Sequence, residues 1–175
     1  YQANGVELGD VFQSFTVIGD RGFAVLNNSQ KVEVVDLKTM ANVGTITGLS
    51  YPRYMVSAGS NRAYVSNGSF DGTLEVVNTQ TLEITSSIAV GTGPNQLLAR
   101  NNEVWVCNEG GFGLDSTISV VSSTSNSVTD VVEVGHRPAD IVSDALGSVW
   151  VLCAGETYYD LNWAVSGHSP SRLYR

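Results

Sequence analysis

The sequence predicts an all-β fold, because short strand-like motifs recur at a nearly constant spacing and no long segment has helical periodicity. The motif Tyr64-Val65-Ser66-Asn67 returns as Trp105-Val106-Cys107-Asn108 and as Trp150-Val151-Leu152-Cys153, at spacings of 41 and 45 residues. Val, Tyr and Trp suit a pleated, half-buried strand, and the apolar residues follow a period of two. A repeat of about 40–45 residues with four short strands is the size of one blade of a β-propeller.

Two further landmarks keep the same period. The segments Val32–Asp36, Leu74–Asn78 and Ile118–Ser122 step by 42 and 44 residues. A Gly-x-x-Pro sequence closes two of the copies, at Gly91–Pro94 and Gly135–Pro138. Proline cannot donate a ladder hydrogen bond and glycine weakens a strand interior, so these sequences mark breaks between copies. Three landmarks with one period indicate a true internal repeat.

The copies divide the chain into consecutive blades. We expect them over residues 10–47, 52–90, 94–134 and 138–175, with the last incomplete and residues 1–9 the tail of a preceding blade. In the clearest copy the predicted strands are Arg53–Ala58, Arg62–Asn67, Gly72–Asn78 and Leu82–Val90. Trp150 and Leu173 are ten residues farther apart than the matching Trp105 and Ile118. This difference predicts an insertion between the second and third strands of the last blade.

Two architectures fit this number of blades. The chain is either a segment of a larger propeller of seven blades or a four-bladed ring in which the N-terminal residues supply the last strand. The two differ in exposed surface, because an open propeller leaves two apolar blade faces uncovered whereas a ring buries them.

The repeat also resembles a known family. The segments "RAYVSN" and "GTLEVVNTQTLEITSSIAVGTGPNQLLA" are similar to the YVTN-type repeat of surface-layer and YncE-like seven-bladed propellers. "ANGVELGDVFQSF", "TGLSYPRYMV" and "VWVLCAGE" resemble segments of Bacteroidota envelope propellers, a narrower group that includes cobalamin-binding surface lipoproteins. The resemblance to the YVTN-type repeat covers nearly the whole chain. It implies a seven-bladed parent, a cell-envelope location that is surface-exposed or periplasmic, and cobalamin as a bound ligand.

Charge and hydropathy argue against several partners. The net charge is −8, from 9 Lys and Arg against 17 Asp and Glu. Nucleic acids and anionic membrane surfaces are bound through dense Lys and Arg, so we expect neither partner. No run of 18 apolar residues is present, which predicts no transmembrane segment. No charged and apolar leader opens the sequence and no lipid-acceptor Cys lies near Tyr1, so we expect any export signal and anchor to be absent from this chain.

Motifs of common enzyme chemistry are missing from the sequence. There is no H-E-x-x-H, G-x-S-x-G, Walker-type or C-x-x-C sequence. His136 and His168 each lie near a predicted loop proline, which is typical of solvated turn residues rather than of bases or metal ligands. Cys107 and Cys153 fall on non-equivalent faces of neighbouring blades. We expect two buried free thiols, with a disulfide as the open alternative.

The aromatic residues form two groups. Tyr64, Trp105 and Trp150 recur at one blade position, which predicts core packing between blades. A second group lies outside the strand repeat, in predicted connections between second and third strands: Phe70, Phe112, Tyr158, Tyr159 and Trp163. A large aromatic on a turn has less packing reason to exist, so this group indicates a binding surface. The alternative is that the long loops fold over their own aromatics.

Topology places these connections on one rim of the predicted propeller. In a four-stranded antiparallel blade, the link into the first strand and the connection between the second and third strands emerge on the same side. We therefore predict a single site there for a small-molecule ligand or a partner protein. Its candidate residues are Tyr51, Arg53, Phe70, Gln96, Phe112, Arg137, Tyr158, Tyr159 and Trp163.

Three classes of function follow, in this order of preference. The first is a non-enzymatic envelope protein that captures a small molecule or docks onto an outer-membrane or surface protein; the resemblance implies a corrinoid captured for an outer-membrane transporter. The second is a structural or adhesive surface-layer propeller. The third is a propeller lactonase or lyase, with its metal-binding carboxylates or catalytic His at the central channel. The segments predicted to line that channel, such as Leu97–Arg100, are mostly apolar, so we expect no enzymatic activity and no required cofactor.

Overall fold

The computed structural model describes residues 7–59, 61–68 and 70–175. These residues form strands and connections, and no helix among them is long and apolar enough to span a membrane. The prediction of an all-β fold built from four-stranded antiparallel sheets is confirmed. The tail of a preceding blade, predicted over residues 1–9, lies outside the described residues up to position 6, and residues 7–11 form no strand.

The first three sheets are antiparallel meanders, in which each strand pairs with the next one along the chain. The first sheet contains β1 (Phe12–Ile18), β2 (Arg21–Leu26), β3 (Lys31–Asp36) and β4 (Asn42–Ile46). The second contains β5 (Pro52–Ser57), β6 (Arg62–Asn67), β7 (Thr73–Asn78) and β8 (Glu83–Ala89). The third contains β9 (Pro94–Arg100), β10 (Glu103–Asn108), β11 (Thr117–Ser122) and β12 (Ser127–Glu133). In the second sheet, every predicted strand boundary lies within one residue of the observed one.

The fourth sheet differs because a hairpin is inserted into it. Its strands are β13 (Pro138–Ser143), β14 (Val149–Cys153) and β17 (Arg172–Tyr174). Between β14 and β17, the predicted insertion forms a separate two-stranded sheet of β15 (Thr157–Tyr159) and β16 (Val165–His168). Among the described residues, β17 has no strand paired to its outer edge.

Each sheet opens with the same local geometry. The first strand carries a β-bulge near its start, and the bulged residues include Arg53 in β5 and Gln96 in β9. The residue immediately before the strand is left-handed in all four sheets, with φ between 54° and 58°: Val11, Tyr51, Gly93 and Arg137. A bulge bends the strand and re-aims its side chains, so this repeated feature directs residues of the first strand towards the rim.

Three buried clusters join consecutive sheets. The first packs residues of β2 and β3, such as Phe23, against β5–β7; the second packs Tyr64 and its neighbours against β9–β11; the third joins the third sheet to the fourth. Among the described residues no such cluster joins the fourth sheet to the first, and Phe12 and Val17 of β1 are exposed. The described residues therefore have the three sheet interfaces of an open arc, not the four of a closed ring.

The third and fourth sheets meet along a groove, because the described part of the fourth sheet has no counterpart of the strands that carry Ile84 and Val128 in the other blades. Val77 and Ile84 complete the first cluster, and Val121 and Val128 complete the second. The corresponding space of the third interface is a groove of about 580 Å³, lined by Trp105, Ile118, Val132, Val149, Val151 and Tyr174 among others. Trp105 is only half-buried there, whereas Phe23 and Tyr64 are fully buried. Trp105 nonetheless packs against the third buried cluster, as its place in the repeat predicts.

A buried polar position recurs in the third strand of the first three sheets. It is occupied by Glu33, Glu75 and Ser119, each paired by side-chain hydrogen bonds. Glu33 accepts from Lys31 Nζ at 2.6 Å and from Asn42 and Thr45 at 2.9 Å. Burial alone would raise the pKa of Glu33, but these hydrogen bonds and the Lys31 charge outweigh it, so the pKa is lower than in a free Glu.

Both cysteines are buried and unbonded, as the sequence predicts. The two side chains lie in the same buried cluster between the third and fourth sheets, but they form no disulfide. Burial, reinforced by nearby Asp140, strongly raises the pKa of Cys107, and burial also raises that of Cys153. Raised thiol pKa values keep both groups protonated and poorly nucleophilic at neutral pH.

Candidate functional site

Backbone hydrogen bonds hold the link before the first strand next to the loop between the second and third strands, on one rim of the molecule. Glu109 N donates to Gly93 O at 3.0 Å, and Gly110 N donates to Thr92 O at 2.9 Å. The first and fourth sheets repeat this pattern, with Asn27 N donating to Val11 O and Ala154 N donating to Arg137 O, each at 2.9 Å. In the first, third and fourth sheets, the link into the first strand is thus bonded to the loop that follows the second strand.

The residue at the left-handed position of this link is glycine in only one of the four sheets. Gly93 fits it at the least cost, and a Cβ there would lie only 2.0 Å from Gly111 N. Tyr51 and Arg137 occupy the same backbone position, where a side chain costs about 1–2 kcal/mol. Strain of this kind concentrates at functional sites. Tyr51 and Arg137 therefore hold this conformation against their local preference, and both side chains make contacts on the rim.

Tyr51 belongs to an exposed aromatic group that we call the rim cluster: Tyr51, Phe70 and Phe112. The ring of Tyr51 meets the edge of Phe112 at a centroid distance of 6.4 Å, and Phe70 lies 5.5 Å from Phe112 at a tilt of 38°. Their exposed fractions are 39%, 62% and 71%. Three loops from two sheets thus bring three aromatic rings together, with most of Phe70 and Phe112 and more than a third of Tyr51 left in solvent.

A cavity of about 170 Å³ opens beside the rim cluster and is lined by Asn27, Tyr51, Arg53, Gly68, Gly111 and Phe112. Arg53 supplies its positive charge. Arg53 Nη2 lies 3.9 Å from Glu109 Oε2, and Glu109 in turn accepts a hydrogen bond from Asn95 Nδ2. The cavity therefore combines aromatic walls with one guanidinium that is held near, but not bonded to, a carboxylate.

The hairpin of β15 and β16 presents a second aromatic group. Tyr159 and Trp163 are 6.3 Å apart at a tilt of 49°, and Trp163 is 83% exposed. The turn between them is tightly bonded, because Asp160 Oδ1 accepts from Asn162 N at 2.8 Å and from Ala164 N at 2.9 Å. Leu161 and Val165 are also exposed on this hairpin. A well-defined turn thus holds large apolar side chains in solvent.

Arg137 connects the hairpin to the loop that carries Phe112. Its Nε donates to Glu156 at the base of the hairpin, and its Nη2 donates to Gly113 O at 3.3 Å. Both members of the ion pair are largely buried, with about a quarter of each side chain exposed. Arg137 is therefore a positioning residue between the two aromatic groups.

The structure brings together part of the candidate set. Tyr51, Arg53 and Phe112 line one cavity with Phe70 beside it, while Tyr159 and Trp163 form a separate pair on the hairpin. Gln96 is half-buried in the bulge of β9 and lines none of these features. Tyr158 covers Gly167 across the hairpin. Sequence reasoning missed Glu109 and Glu156 as the partners of Arg53 and Arg137, and missed Leu161 beside Trp163.

Among the described ranges, no three His, Cys, Asp or Glu side chains are grouped so that they could hold a metal ion.

In sequence, the chain matches no protein-family model and no curated protein. In structure it is similar to Kuenenia stuttgartiensis hydrazine synthase, at a TM-score of 0.72 and 17% identity, covering 89% of this chain and 46% of that one. It is also similar to the dihydro-heme d1 dehydrogenase NirN in complex with DHE, at 0.69 and 12% identity, covering 94% and 40%. The WD40 β-propeller domain of Doa1 gives 0.66 and 13% identity, covering 80% and 47%.

The chain spans less than half the length of each of these structures. Identities of this size carry information on the fold alone. They agree with the four-stranded sheets and with the three interfaces between consecutive sheets. The chain has the fold of part of a β-propeller, with three complete four-stranded blades followed by a partial fourth.

Proposed function

We propose that this protein is a non-enzymatic binding propeller that captures its ligand on the rim formed by Tyr51, Phe70 and Phe112. The observation that carries the proposal is the exposure of these three rings, which contact one another without being buried. Exposed aromatic surface next to a few polar groups is typical of ligand pockets and of interface hot spots. The strained backbone of Tyr51 supports the same role, because a glycine would satisfy the fold.

The resemblance to envelope propellers extends the proposal to a location and a ligand. We place the protein at the cell envelope, where it would pass a corrinoid such as cobalamin to an outer-membrane transporter. The cavity volume of about 170 Å³ is far too small to enclose a corrinoid. Such a ligand would therefore lie across the rim cluster, and the exposed Trp163 and Tyr159 would contact its outer edge.

The test is calorimetric titration of the full-length protein with cobalamin and with its precursor cobinamide. We expect saturable binding that is weakened at least tenfold by Phe112→Ala, because stacking on an exposed ring contributes on the order of 1–3 kcal/mol. Leu146→Ala is the matched control, since Leu146 is 88% exposed in the turn between β13 and β14, on the opposite rim. Equal loss of binding in both variants would contradict a site on the rim cluster.

The hairpin provides a second arm of the same test. Trp163→Ala and Tyr159→Ala should weaken binding while leaving the free energy of unfolding unchanged, because both rings lie in solvent. A structural or adhesive role is favoured instead if neither corrinoid binds and Trp163→Ala abolishes self-association of the protein, as measured by analytical ultracentrifugation. The exposed Trp163, Leu161 and Val165 are the observation behind this second candidate.

A further inference from the structure

The cavity beside the rim cluster has the dimensions of one small ring. Its volume of about 170 Å³ is close to that of an engineered protein cavity of roughly 150 Å³ that binds benzene. Tyr51 and Phe112 supply aromatic walls, and Gly68 and Gly111 let the backbone approach closely. A benzene-sized planar group would therefore fill the space between these side chains.

Most arginines among the described residues donate a side-chain hydrogen bond to the protein, whereas Arg53 does not. Arg21 and Arg62 each donate to a backbone carbonyl of the following sheet, from Thr79 and Ser123 respectively. Arg53 has a side chain that is 32% exposed, and no described residue accepts a hydrogen bond from it. The distance of 3.9 Å to Glu109 is too long for such a bond. Its planar set of donors is thus left available in the cavity.

The surroundings of Arg53 hold this charge in place. Arg53 lies in the bulge of β5, whose backbone is fixed by Tyr54 N donating to Ser66 Oγ at 3.0 Å. Asn95 holds Glu109, so that this carboxylate stays near Arg53 without occupying its donors. A guanidinium in this state matches the geometry of an incoming carboxylate, which it can bind through two parallel hydrogen bonds.

We infer that this cavity is a subsite for a carboxylate attached to a benzene-sized ring, with Arg53 binding the carboxylate and Tyr51 and Phe112 contacting the ring. The inference rests on the proposed function, because it names the ligand chemistry of the same rim. It applies to an aromatic acid as a free molecule. A carboxylate of a partner protein is an alternative source of the same chemistry.

The experiment compares phenylacetate with phenylacetamide, two probes of equal shape that differ in charge. Ligand-observed NMR titrations of the full chain at 0.15 M salt give the affinity of each. We expect the acid to bind about tenfold more tightly than the amide, because only the acid can form a charge-assisted pair of hydrogen bonds with Arg53. Arg53→Gln should abolish this preference, and Glu109→Gln should increase acid affinity by removing a competing carboxylate. Arg100→Gln is the charge-matched control.

The outcomes separate this inference from the proposed function. Equal affinities for acid and amide, or an acid preference that survives Arg53→Gln, overturn the carboxylate subsite. They leave the binding role intact if Phe112→Ala still weakens both probes. If neither probe nor an acidic peptide binds, the subsite is overturned as well, and the corrinoid titration then decides the proposed function on its own. If only an acidic peptide binds, and Arg53→Gln abolishes that binding, the free-acid source is wrong.

Discussion

Tyr64 and Phe112 are aromatic residues of adjacent blades, yet they lie in opposite environments. Tyr64 is fully buried between the second and third sheets, and its hydroxyl donates to Asn126 Oδ1 at 2.6 Å. Phe112 is 71% exposed, and its ring packs against two other exposed rings, Tyr51 and Phe70. Tyr64 follows the 41-residue repeat and Phe112 does not. The comparison teaches that the aromatic ring at a repeated strand position packs into the core, whereas the ring in a loop outside the repeat remains exposed.

The largest expected effect is on the buried side of this comparison. Tyr64→Ala should lower the free energy of unfolding by about 3–5 kcal/mol, because it leaves a cavity in a fully packed cluster. Tyr64→Phe keeps the ring and should cost only about 1 kcal/mol for the lost hydrogen bond. Urea denaturation monitored by circular dichroism measures both. A loss below 1 kcal/mol for Tyr64→Ala would break the assignment of this residue to the core.

Trp105 sharpens the comparison, because it obeys the repeat but is only half-buried. The groove beside it already exposes part of the ring, so Trp105→Ala should cost less than Tyr64→Ala, on the order of 2 kcal/mol. The same denaturation experiment checks the order of the two variants. A larger cost for Trp105→Ala would show that this side chain belongs to the packed core to the same extent as Tyr64.

A smaller effect, dependent on pH, is expected at Glu33. Its pKa in the folded protein is below the ordinary value of 4.5, so its stabilising contribution is complete above that pH. The contribution is lost as the pH falls through the lowered pKa. Glu33→Gln should cost about 1 kcal/mol at pH 7 and much less at pH 3. Thermal unfolding of both proteins across this range is the measurement, and a constant difference would contradict the role of the ionised carboxylate.

The smallest effect on stability is expected on the rim. Tyr51→Gly removes about 1–2 kcal/mol of left-handed strain and adds about 0.5–1 kcal/mol of chain entropy in the unfolded state. The free energy of unfolding should therefore change by less than about 1 kcal/mol, while ligand binding is lost. A strong destabilisation would show that Tyr51 belongs to the folding core, as Tyr64 does.

The sequence predicts much of this fold because the period-two alternation of apolar residues and the 41–45-residue repeat both indicate four-stranded blades. It also places the loops of Tyr51, Phe70 and Phe112 on one rim, since antiparallel topology determines the side on which they emerge, but it does not single out these three from the nine candidates. The strands of the hairpin escape prediction, because Tyr158, Tyr159 and Val165 are all exposed and show no buried alternation. Gln96 was selected by its loop position, but the direction of a bulged side chain depends on backbone geometry that residue type does not encode.

The left-handed links are another feature that sequence conceals. Gly93 is a recognisable signal for positive φ, but Val11, Tyr51 and Arg137 adopt the same conformation against their own preference. Tertiary hydrogen bonds from the neighbouring loops overrule local propensity at two of these non-glycine positions, Val11 and Arg137. Alignment of the four repeats, rather than inspection of each one, reveals the shared position.

The three buried clusters each join one sheet only to the next, and this arrangement has a thermodynamic consequence. The free energy of the described blades is approximately a sum of blade terms and nearest-neighbour coupling terms, as in a linear Ising chain. Disruption at one interface is then transmitted to adjoining blades mainly through the next coupling, and it weakens with distance along the arc. The second blade, which carries Arg53 and Phe70 and is preceded by Tyr51, is coupled to a neighbour on both sides. Two interfaces therefore stabilise the blade that positions these rim residues.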